Sequence, residues 1–165
     1  MELPPEVSKE LMALVHKHLA NRPDALNFLR IYCDYCHKID DLVDVPEYRT
    51  DNEFLGDVLN TALEVFSSDF YATRRVKLYS LVKEIQNSYL DSVIAETNVN
   101  SPKWLKDTGD VLRCSAHAMT MAVVELVVTE ETGDYAAGYK AKREISLLCR
   151  QNSYEQHHDS KGNPV

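Results

Sequence analysis

Apolar positions recur along most of the chain at intervals of three and four, the period of one face of a helix. Val7, Leu11, Leu14 and Val15, with His18 in register, predict a helix from about Glu6 to Ala20 behind Pro4 and Pro5. Pro23 in a first turn beside Asp24 opens a second helix, expected from about Arg22 to Asp44, where Pro46 stops it. Thr50 and Glu53 read as a capping box for a third helix carrying Phe54, Leu55, Val58, Leu59, Ala62 and Phe66. Asp69 is positioned to cap a long fourth helix through about Glu96, marked by Val76, Tyr79, Val82, Ile85, Tyr89 and Val93. Ser101-Pro102 opens a fifth, reaching about Thr132, and Gly133 closes it. Asp134 caps a last helix to about Gln151.

The β-branched run from Ala122 to Val128 is the one place where a strand competes, and a lone strand has nothing to pair with. The expected fold is therefore all-α: a single, mostly antiparallel bundle of five to six helices over residues 1–151. Residues 152–165, polar and apolar-poor, are expected to form a mobile tail.

Composition narrows the function. At 165 residues the chain has the length of about one domain, and 5 Gly and 6 Pro leave few loop positions. A formal net charge of −8 disfavours a nucleic-acid backbone or an anionic membrane as partner. No apolar run approaches a membrane span, and Met1-Glu2-Leu3-Pro4-Pro5 has no signal-peptide character, so a cytoplasmic location with reduced cysteines is expected.

The sharpest chemical feature is an aspartate triplet ending the second helix. At about 100° per residue, Leu26, Leu29, Cys33, Cys36, His37, Asp40 and Asp44 share one face, with Asp41 about a quarter turn away. Carboxylates in a last turn oppose the helix dipole, and Asp40 and Asp44 repel at the i,i+4 spacing. A hard cation, Mg²⁺ (or Mn²⁺), would offset this, because it takes oxygen ligands from one or two carboxylates together with substrate phosphates. The plainer account is a solvated helix end, or pairing with Arg30, Lys38 or Arg49.

Ile39-Asp40-Asp41-Leu42-Val43-Asp44 on a long helix resembles the aspartate-rich motif of class I isoprenoid synthases, among them prenyl diphosphate synthases, squalene and phytoene synthases and terpene cyclases. The resemblance implies that Asp40 and Asp44 hold Mg²⁺ against a substrate diphosphate, with Asp41 as a supporting acid. Against the family's second motif, the segment from Ser88 to Glu96 matches at Ser92 and Glu96, but Ser88 and Tyr89 depart from it. The chain is also far shorter than those synthases. His37-x-x-Asp40-Asp41-x-x-Asp44 is also similar to small uncharacterised bacteriophage proteins with an H-x-x-D-D-x-x-D helix, which implies the cytoplasm of an infected bacterium.

Other constellations compete. Cys33-Asp34-Tyr35-Cys36-His37 has the form of a haem attachment signature but sits inside a predicted helix. Zinc on Cys33, Cys36, Cys114 and His117 lacks a second knuckle spacing. Asp107, Asp110, Cys114 and His117 form a stripe on the fifth helix that would complete an acidic pocket if it faced the triplet. For phosphate recognition, Arg30, Lys38, Arg113, Lys140, Lys142 and Arg143 are the candidate cations.

The leading expectation is a metal-dependent bundle that binds, transfers or hydrolyses a diphosphate-bearing small molecule. The alternative is a non-enzymatic interaction or ligand-sequestering protein of phage type, with a host protein as partner. A homodimer is compatible with either.

Overall fold

A computed structural model describes residues 5–98, 100–104 and 115–157. Among these residues the fold is all-α, with six α-helices, one 3-10 turn and no strand. The helices are α1 (Pro5–Leu19), α2 (Pro23–Asp44), α3 (Asn52–Ser67), α4 (Asp69–Thr97), α5 (Ser115–Thr132) and α6 (Tyr135–His157). None is long and apolar enough to cross a membrane. The last helix continues past Gln151 to His157. Of the expected tail, residues 158–165 lie outside the described residues, as do residues 105–114 of the expected fifth helix.

Local chemistry sets the boundaries, in two places one residue away from the sequence expectation. Asp51, not Thr50, caps α3, its carboxylate accepting from the Glu53 and Phe54 amides at 2.9 and 3.1 Å. Ser68, not Asp69, caps α4: its hydroxyl accepts from Tyr71 N–H and donates to the Val65 carbonyl. One residue thus closes α3 and opens α4. Gly133 adopts φ +67°, the left-handed conformation in which a Cβ is costly. Asp134 then accepts from the Ala136 amide at 2.7 Å, as a cap of α6 should.

The chain divides into two compact units. The first comprises residues 1–26 and 120–165, the second residues 27–119. In the first, α1 packs on α6. Its buried residues include Leu11, Val15 and Leu19 from α1, Val123, Val124 and Val127 from α5, and Ala141 and Ile145 from α6. The β-branched run is therefore helical and supplies core. Gly138 is buried in α6, and a Cβ there would lie 2.6 Å from the Glu125 carbonyl of α5. Only glycine allows so close an approach.

The second unit is built on aromatic rings. Phe28 stacks on Phe70 with centroids 5.0 Å apart and lies near Tyr32 and Tyr71 at 6.0 and 6.3 Å. Phe66 meets Tyr35 and Tyr71 edge to face. The Lys38 ammonium latches α2 to α3, reaching Asp34 at 2.9 Å, Asp57 at 2.8 Å and Thr61 Oγ1 at 2.8 Å.

Candidate functional site

The aromatic cluster fixes the rotation of α2 and corrects the expected stripe. Its core face runs through Ala25, Phe28, Tyr32 and Cys36 toward Ile39 and Val43, because the large rings bury more area than Leu26 and Cys33. His37 and Asp44, expected on the core-facing side, are exposed, as is Asp41. Asp40 lies at the margin of the core face and is half-buried. The Tyr89 hydroxyl of α4 donates to its Oδ1 at 3.0 Å.

The negative end of α2 is offset by a cation from the chain itself. Arg49, carried back by the 3-10 turn Pro46–Arg49, donates Nε–H to the Leu42 carbonyl at 3.1 Å and Nη2–H to the Val43 carbonyl. A guanidinium on the last carbonyls is the interaction that a helix C-terminus favours. The ring of Tyr48 stacks on Phe54 of α3 at 4.3 Å, which holds the turn in place.

The second motif-like segment is on α4 and touches the triplet through Tyr89, a departure from the family pattern. Ser92 is fully buried, and its hydroxyl donates to the Tyr89 carbonyl at 2.6 Å, so it is a core serine in this fold. The Glu96 side chain, Asp107, Asp110, Cys114 and Arg113 lie outside the described residues. His117 is half-buried in α5, and burial holds its imidazole below the usual range. Among the described residues no three His, Cys, Asp or Glu side chains are grouped as a metal ion requires.

Cys33 and Cys36 are half-buried in α2; burial pushes the Cys33 thiol up, and burial together with Cys33 pushes Cys36 up to about 12. Of the candidate cations, Lys38 is engaged by Asp34 and Asp57, Lys142 by Glu125 at 2.6 Å, and Arg30 donates to Asn27 at 3.2 Å.

A concave site lies elsewhere, in a groove of about 620 Å³ between the end of α3 and one flank of α4. Phe66, Tyr71, Ala72 and Val82 give it apolar walls, and Arg75, Tyr79, Lys83 and Gln86 supply the polar groups. The Lys83 ammonium stands 5.9 Å over the Tyr79 ring. Arg75 and Lys83 were not among the cations expected from sequence. The signal that marks them is their position with Tyr79 on the flank of α4 that borders its buried residues Tyr71 and Val82.

These features define an all-α chain with an acidic helix end and a separate cationic, aromatic groove. No protein-family model matches the chain, and no curated protein and no solved structure is similar to it.

Proposed function

We propose that this chain acts by binding and not by catalysis, and that its α3–α4 groove takes a small molecule with an apolar body and a phosphate or diphosphate head. One observation carries this reading: in a chain of net charge −8, the described residues lining the groove include two cations and no carboxylate. Ligand sites of this size are mostly apolar, with a few polar groups that fix orientation. Phe66, Tyr71 and Val82 would cover the apolar body, while Arg75 and Lys83 would meet the anionic head as charged donors.

Calorimetric titration with geranyl diphosphate, pyrophosphate and geraniol tests the assignment. The diphosphate ester should bind at least tenfold more tightly than either fragment, and Arg75→Gln and Lys83→Gln should each weaken it several-fold. Equal binding by both variants and wild type would remove the groove from consideration.

The Asp40–Tyr89 contact favours a second reading, since it joins the two helices that carry motif-like segments. In that reading Mg²⁺ (or Mn²⁺) on Asp40 and Asp44 recruits the diphosphate. Binding that requires Mg²⁺ and is lost in Asp40→Asn, but not in Lys83→Gln, would select it.

A further inference from the structure

Helix α4 has apolar residues on two opposite faces, which leaves it with almost no net amphipathicity. One face, with Phe70, Leu78, Val82, Ile85 and Ala95, is core. On the other, Val76 is 95% exposed, Leu90 57%, and Tyr79 and Ile94 each 50%. Val76 and Ile94 are eighteen residues apart, five turns at 3.6 residues per turn, so they project in the same direction, with Leu90 and Tyr79 close beside them. These positions are also nearly symmetric along the helix, Val76 and Ile94 about residue 85 and Tyr79 and Leu90 about a point half a residue, less than about 1 Å, away. When a helix pairs with an antiparallel copy of itself through a two-fold axis at that level, Val76 faces Ile94 of the copy and Tyr79 faces Leu90. Lys83 falls opposite Gln86 and Asn87.

We infer that the outer face of α4 is a self-association surface, occupied by the same face of a second copy of this chain in antiparallel register. An isologous contact must be self-complementary, and this stripe is: apolar residues meet apolar residues at both ends, and at the centre each ammonium meets side-chain amides of the other copy. No carboxylate enters the central stripe, so two chains that repel overall meet where neither carries negative charge. At on the order of 100 Å² per fully covered side chain, the four apolar residues bury roughly 500 Å² of apolar surface over both copies. That is the scale of a small interface, below about 1,200 Å² in total once the polar centre is added. Dimers should therefore form at micromolar to millimolar concentration.

The pairing shares Tyr79, Lys83 and Gln86 with the groove, so ligand and second copy compete for them, and the test is made without ligand at Val76 and Ile94, which lie outside the groove lining. Sedimentation equilibrium without ligand, over about 10 µM to 1 mM, should show a monomer–dimer equilibrium for the wild type. Val76→Lys and Ile94→Glu should each weaken it at least tenfold. Combined in one chain, they should restore association in low salt, because each introduced ammonium then faces an introduced carboxylate on the copy. Circular dichroism checks that the exposed substitutions leave the helices intact. A wild type that stays monomeric to 1 mM overturns the inference, and so does a double variant that associates no better than the single ones.

Discussion

Replacing Gly138 by alanine tests how closely α5 and α6 approach. An added Cβ would lie 2.0 Å from Thr129 Oγ1, 2.6 Å from the Glu125 carbonyl oxygen and 3.2 Å from Thr129 Cβ. Rotating Thr129 about χ1 moves its Oγ1 but not its Cβ, and leaves the Glu125 contact untouched. The Glu125 oxygen is backbone and moves only with α5. Alanine gains about 1 kcal/mol of helix propensity over glycine. Forcing a methyl into a packed interface costs about 1–3 kcal/mol, and a backbone obstacle puts this case at or above the upper end. The net loss should be about 2 kcal/mol, a fall in Tm of roughly 4–8 °C for a chain of this size. Gly56 in α3 is the control: nothing lies within 4 Å of its added Cβ, so Gly56→Ala should gain about 0.5–1 kcal/mol. Urea unfolding followed by circular dichroism compares the three proteins. If Gly138→Ala equals or exceeds the wild type, the close approach is wrong.

Two further outcomes are expected. Phe28→Ala should lose about 3–5 kcal/mol, and a double-mutant cycle with Phe70→Ala should give a coupling of about 0.5–1.5 kcal/mol, as their stacked rings at 5.0 Å require. Strict additivity would count against the stack. The Glu144 carboxyl is held below its usual range, first by its hydrogen bond with His18 at 3.0 Å. A depressed folded value means the stabilisation is present above the unfolded carboxylate range, near pH 4.3, and is lost as pH falls through the folded value. Urea midpoints measured from about pH 7 to 3 should therefore drop less steeply for Glu144→Gln than for the wild type, and parallel curves would refute the link.

Much of the secondary structure was legible because its signals are local. Pro46 ends α2, Gly133 takes the left-handed turn, and Asp134 accepts the Ala136 amide, each readable from neighbours in sequence. Rotation was not legible. Along α2, Leu29 of the expected stripe is buried, but Phe28 and Tyr32 join it in the core while Leu26 and Cys33 are only half-buried, and Phe28 is engaged by Phe70 and Tyr71, about forty residues downstream. That rotation moved His37 and Asp44 to the surface and left Asp40 at the margin. At the helix end, Arg49, in sequence a candidate partner of the carboxylates, donates to the last carbonyls of α2. On α4, Val76 and Tyr79 had the period of a core stripe, yet both are exposed.

The packing of α1 on α6 has a consequence for the order of events during synthesis. His18 and Glu144 meet across 126 positions of sequence, so the first of these helices to leave the ribosome must wait for the last. Residues 27–119 form a compact unit from contiguous chain and can close in the meantime. Until α6 follows, α1 keeps Leu11, Val15 and Leu19 without their eventual cover, and closing so long a loop is the slow kind of contact. In a nascent chain, α1 is thus the segment for which a chaperone has the longest opportunity.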